Sequence, residues 1–111
     1  MDSGKVLRIW TMKRRAHKER WFVRTGTIPA SIGQLTALRT LDLVGNEVYG
    51  AIPEQLCELP LEQLNLAANA LTGHLPTAIG KMSLLEELIL NQNQISGPIP
   101  ETLSSLTRLK V

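Results

Sequence analysis

A chain of 111 residues with 43% hydrophobic but only 4% aromatic side chains has length for one small domain, whose core must be aliphatic. The net charge of +2 hides an asymmetry: residues 1–24 carry eight Lys and Arg against two acidic residues, and the remainder carries four against eight. The single cysteine, Cys57, excludes an intrachain disulfide, and no apolar run approaches the roughly 20 residues of a membrane-spanning helix.

Residues 1–24 form a basic segment without a repeat. Three readings of it stand open: a degenerate capping strand over Val6, Leu7, Arg8, Ile9 and Trp10, a basic helix capping the open end of the core, or disorder. Met1 to Trp10 lacks the apolar stretch of a secretory signal, and the chain has no Asn-x-Ser/Thr acceptor. Alone, the chain reads as cytoplasmic. The run Lys13-Arg14-Arg15, with Lys18 and Arg20 near Trp10, Trp21 and Phe22, has the composition of a contact to nucleic acid or anionic lipid through residues 5–24. The same composition equally describes a solvated face whose aromatics cover the end of a core.

From about Thr25 to Val111 the chain repeats itself. Pro29, Pro53, Pro76 and Pro100 recur at intervals of 24, 23 and 24 residues, each preceded by Ile or Leu and, three positions back, by Gly. Asn46, Asn69 and Asn93 form a second ladder. Between them runs Leu-x-x-Leu-x-Leu-x-x-Asn, as Leu38, Leu41, Leu43, Asn46, then Leu61, Leu64, Leu66, Asn69, then Leu85, Leu88, Leu90, Asn93. A fourth copy begins at Leu109. One residue is missing around Pro60, which accounts for the 23-residue interval.

Each part has a physical reason. Leu-x-Leu alternation predicts a short strand with one face buried. Stacked copies then form a parallel sheet. A column of Asn side chains, donor and acceptor at once, can satisfy backbone groups that stacking buries. Gly-x-Ile-Pro suits a turn followed by an extended residue. The spacing Ile32, Leu35, Leu38, repeated as Ile79, Met82, Leu85, suits 3-10 turns on the other side.

These residues resemble the plant-type leucine-rich repeats of receptor-like kinases and receptor-like proteins. Asn69-Ala-Leu-Thr-Gly-His-Leu-Pro76 and Asn93-Gln-Ile-Ser-Gly-Pro-Ile-Pro100 match that pattern closely over about residues 25–111. Tyr49, Val48, Ile95, Cys57 and Ser104 depart from it mildly, and the paired-cysteine cap usual in the family is absent. The resemblance implies an α/β solenoid, a right-handed coil with a short parallel sheet on its concave face and 3-10 or irregular turns on its convex side. It also implies a protein-interaction scaffold rather than an enzyme, and a plasma-membrane or extracellular setting.

The outward strand positions then define a candidate ligand face: Thr40, Asp42 and Val44; Gln63, Asn65 and Ala67; Glu87, Ile89 and Asn91, flanked by Arg39, Glu62 and Glu86. Few are basic and several are apolar, which favours a peptide or protein ligand over a polyanion. The alternative is an intracellular scaffold whose basic N-terminal arm meets nucleic acid or anionic membrane. Catalysis has little support: His17 and His74 have no metal-spaced neighbours, Cys57 has no nearby His base, and Glu86 and Glu87 fall on opposite faces of a strand. No cofactor is expected. Leu106, Leu109 and Val111 near the open end of the ladder suggest self-association there.

Overall fold

A computed structural model of the chain describes residues 10–15, 18–23 and 26–106. The basic segment, for which the sequence left strand, helix and disorder open, contains two strands, β1 (Trp10–Arg15) and β2 (Lys18–Val23), paired antiparallel. The strand suggested over Val6 to Trp10 lies outside the described residues except for Trp10. The repeats follow as η1 (Ala30–Gln34), β3 (Thr40–Asp42), β4 (Tyr49–Ala51), η2 (Glu54–Glu58), β5 (Gln63–Asn65), β6 (Ala70–Thr72), η3 (Thr77–Lys81), β7 (Glu87–Ile89) and η4 (Glu101–Ser105), each η being a 3-10 turn.

The sheet runs β1-β2-β3-β5-β7. From β2 onward every pairing is parallel, with Thr40, Gln63 and Glu87 in one register row and Asp42, Asn65 and Ile89 in another. The coil therefore advances one strand per repeat. Leu41 and Leu64, between those rows, are almost fully buried. Burying each such leucine contributes about 1.5–3 kcal/mol, and these columns hold the stack together.

On the other side, chained i to i+3 hydrogen bonds turn every third residue inward. Ile32 N–H donates to Pro29 O at 3.0 Å, Leu35 N–H to Ile32 O at 3.1 Å and Leu38 N–H to Leu35 O at 3.0 Å, and Ile79, Met82 and Leu85 repeat the chain. All six side chains are buried. The middle repeat absorbs its lost residue at Leu59. There ψ is 145°, against 61° at Leu35 and 70° at Met82. Pro60 enforces this, because a proline drives the preceding residue out of the helical region.

A second, two-stranded parallel sheet pairs β4 with β6, and bridges Gly26 to Val48 and His74 to Ser96 extend the same kind of contact. The sequence pointed to extended segments here but not to their pairing. The residue before each ladder asparagine is left-handed in all three copies: Gly45 at φ 72°, Ala68 at 58° and Gln92 at 60°. Only the first copy uses the residue that adopts this conformation without strain.

The hairpin joins the sheet through the pairing of Arg20 with Asp42. Opposed residues share a face and successive residues alternate. Trp10, Met12, Arg14, Glu19, Trp21 and Val23 therefore hold positions on the core-side face, with Leu41. Thr11, Lys13, Arg15, Lys18, Arg20 and Phe22 hold positions on the opposite face, with Asp42.

Candidate functional site

The candidate ligand face is built by the sheet's two register rows. Thr40, Asp42, Gln63, Asn65 and Ile89 are half-buried, and Glu87 is exposed. Thr40 Oγ1 donates to Gln63 Oε1 at 2.8 Å across the strands, so these two polar side chains hold each other on that face. The third row, Val44, Ala67 and Asn91, lies just past the strand ends, where Gly45 N–H donates to Ala67 O at 3.1 Å and Ala68 N–H to Asn91 O at 3.0 Å. Val44 is half-buried and Asn91 exposed, but Ala67 is only 6% exposed and offers almost no contact surface.

The fold constrains some of these positions more than the Leu pattern implies. Asp42 Oδ1 accepts from Val44 N–H at 3.0 Å, and Asn65 Oδ1 accepts from Ala67 N–H at 3.1 Å. Each side chain closes the turn that leaves its strand, as Asx residues do where the backbone lacks a partner. In β7 the equivalent residue is Ile89, which has no such acceptor. Asp42 and Asn65 therefore serve both turn and surface, and Gln63 is held by Thr40 across the strands.

Behind this face stands the asparagine ladder. Asn69 Nδ2 lies 2.9 Å from Leu43 O in the preceding coil, and 3.0 and 3.1 Å from Leu66 O and Ala67 O in its own. Its Oδ1 accepts from Val48 N–H at 3.1 Å. Asn93 repeats the pattern with Leu66 O, Leu90 O and Leu71 N–H. Asn46 Nδ2 donates to Leu43 O at 2.9 Å. These bonds fix the pitch between coils and so the spacing of the register rows.

The titratable groups singled out in the sequence lie elsewhere. Cys57 is buried on η2 and a free thiol. Burial first, then the charges of Glu54 and Glu58, push its thiol up to about 11, against a weaker lowering by Lys81. A thiol so shifted is protonated at neutral pH and a poor nucleophile. His74 is exposed, with its ring over Gly97, where an added Cβ would stand 2.9 Å from the ring. His17 lies outside the described residues. Among the described residues no cluster of His, Cys, Asp or Glu could hold a metal ion, and no helix is long and apolar enough to cross a membrane.

Two grooves were not foreseen. One of about 380 Å³ runs between Ile52, Glu54, His74, Leu75, Pro98 and Pro100. Its neighbour, of about 410 Å³, is floored by Ala78 and Gly80 between Glu54, Lys81 and Thr102. Both lie on the side of the 3-10 turns and form between consecutive repeats, so no local motif announces them.

Comparison with known proteins places these features in one family. The Leucine Rich Repeat family profile matches residues 37–59, 60–82 and 84–106. A probable LRR receptor-like serine/threonine-protein kinase of Arabidopsis thaliana is 44% identical over 52 residues, which is 47% of this chain and 5% of the kinase. Among solved structures, the plant peptide hormone receptor RGFR1 in complex with RGF2 superposes with a TM-score of 0.74 at 44% identity, over 77% of this chain and 14% of that one. The BIR3–SERK2 complex from Arabidopsis thaliana gives 0.73 at 46% identity, over 77% of this chain and 46% of that one. The chain thus spans less than half the length of each of these proteins, and only a twentieth of the kinase. It belongs to the leucine-rich repeat family, with repeats of the plant receptor ectodomain type.

Proposed function

We propose that this chain is a non-catalytic recognition module that binds a peptide or protein along the sheet face opposite the core, as part of a receptor-like signalling system. The observation that carries this is the in-register pair of rows, Thr40–Gln63–Glu87 and Asp42–Asn65–Ile89, held open on one face by a core that uses none of their side chains. Similar proteins support it: one is a plant peptide hormone receptor in complex with RGF2, and another is a complex of BIR3 with SERK2. Three repeat strands span only about 15 Å at ~4.8 Å spacing, well short of a standard interface. Weak binding by this chain alone is therefore expected.

The test is selection of binding peptides from a displayed random library on the full chain. Gln63→Trp and Ile89→Arg should abolish binding of the selected peptides, and Thr77→Arg on η3 should not. Loss with Thr77→Arg alone, at a residue that lines both grooves, would move the site to them.

We propose in addition that residues 1–24 cap the N-terminal end of residues 25–111. Trp10, Met12, Trp21 and Val23 share the core-side face of the sheet with Leu41, which supports this. Self-association at the other end is supported by Ile99, 76% exposed where its repeat equivalents Ile28 and Ile52 are buried. Sedimentation velocity should show association weakened by Ile99→Glu.

A further inference from the structure

The hairpin's charges are sorted by face. Arg14 and Glu19, of opposite charge, hold opposed positions on the core-side face. On the other face Lys13 lies opposite Arg20 and Arg15 opposite Lys18, two like-charge pairs. Directly opposed like charges destabilise a strand pair, so this arrangement works against the hairpin itself. The pairing of Arg20 with Asp42 puts the four cations on the face of Thr40, Gln63 and Glu87. The sheet face is thus bipolar: four cationic positions on β1 and β2, then Asp42, then polar rows flanked by Glu62 and Glu86 and ending at Glu87.

We propose that β1 and β2 form a cationic subsite that receives an acidic, extended segment of a polypeptide whose remainder crosses the rows of β3, β5 and β7. The proposal rests on the reading of that face as the binding surface and adds the chemistry of one end of the ligand. Same-face positions on a strand recur every ~6.6–6.8 Å, which is also the repeat of alternate residues in an extended peptide. Carboxylates at every second residue therefore match the spacing of positions 13 and 15, or 18 and 20. A nucleic acid or an anionic membrane lying over the same face would be carried onto Asp42 and Glu87, in a remainder of the chain with four basic and eight acidic residues. A polypeptide can change its charge along its length and so match a surface that does.

Fluorescence anisotropy tests this on the full chain with a labelled ten-residue peptide of alternating Glu and Ser. The comparison arms are the same peptide with Lys for Glu, a single-stranded oligonucleotide and phosphatidylserine vesicles. The acidic peptide should bind best, and more weakly as salt rises. The pair Arg15→Gln and Lys18→Gln should weaken it at least about tenfold, and Arg14→Gln, on the opposite face, by less than about twofold. In melting, Arg14→Gln should lower the midpoint while the double variant does not, so a folding defect is told apart from a lost contact. Equal weakening by Arg14→Gln, tighter binding of the oligonucleotide or vesicles, or no binding of the acidic peptide overturns the proposal. Ile89→Arg separates the two readings, using the library-selected peptides. If it leaves their binding intact while the double variant abolishes acidic-peptide binding, the subsite stands and the repeat-face reading falls.

Discussion

The repeat around β5 and the repeat around β7 are near copies in sequence, yet the same positions are buried very differently. Leu64 and Leu66 are 1% and 0% exposed, whereas Leu88 and Leu90 are only half-buried. Leu71 is fully buried and Ile95 half-buried. Ile52 is 5% exposed and Ile99 76%. A leucine in a stacked coil thus owes the last part of its burial to the coil laid over it, which is the nearest-neighbour energetics expected of a solenoid.

The sharpest way to break this comparison is to truncate equivalent leucines. Leu64→Ala should cost about 3–5 kcal/mol and Leu88→Ala about 1–2 kcal/mol, because a half-exposed site leaves a smaller cavity. Urea denaturation of both variants measures it, and equal losses would deny that the neighbouring coil sets the value.

Thiol reactivity gives a second comparison at one repeat position, occupied by buried Cys57 in the interior and exposed Ser104 at the end. With its pKa at about 11 against an ordinary 9.0, Cys57 should alkylate at pH 8 about a hundredfold more slowly than a cysteine introduced by Ser104→Cys in a Cys57→Ala background. The sign of the linkage follows. The contribution from the buried neutral thiol is complete below pH 9.0 and is lost as pH rises through about 11, so Cys57→Ala should flatten the alkaline stability profile.

The asparagine ladder should show a smaller contrast. Asn69→Ala strands Val48 N–H, while Leu43 O keeps Asn46 and Leu66 O keeps Asn93, costing about 1–3 kcal/mol. Asn93→Ala should cost nearer ~1 kcal/mol, since water can reach the carbonyl of exposed Asn91. The smallest effect is a gain. Ala68→Gly should stabilise by about 0.5–1 kcal/mol, because Ala68 holds φ at 58° where Gly45 serves in the preceding repeat. Thermal melts check both.

The repeat frame was legible because strict Leu, Asn and Pro spacing leaves little freedom: the strands, the 3-10 turns and the asparagine bonds all fall where the ladders put them. The hairpin was not. Ala16 and His17, which separate its strands, carry none of the Asn-Gly or Asp-Gly chemistry that marks a tight turn. A signal was nonetheless present. Trp10 and Met12, and again Trp21 and Val23, alternate with polar or cationic residues at period two, interrupted only by Phe22. The outward positions were found from the Leu pattern alone. That pattern could not show that Asp42 and Asn65 close turns or that Ala67 is covered, because these depend on how the chain leaves each strand.

Everything assigned to the hairpin, as cap and as cationic subsite, depends on β2 lying beside β3 with Arg20 level with Asp42. Disulfide trapping measures this directly. In a Cys57→Ser background, Arg20→Cys with Asp42→Cys should form an intrachain crosslink on mild oxidation, because paired same-face positions lie within the ~4.4–6.8 Å Cα separation a disulfide spans. Glu19→Cys with Asp42→Cys, shifted by one residue onto opposite faces, should not. Equal crosslinking of the two pairs, or preferential crosslinking through position 19, would contradict the register and the charge sorting built on it.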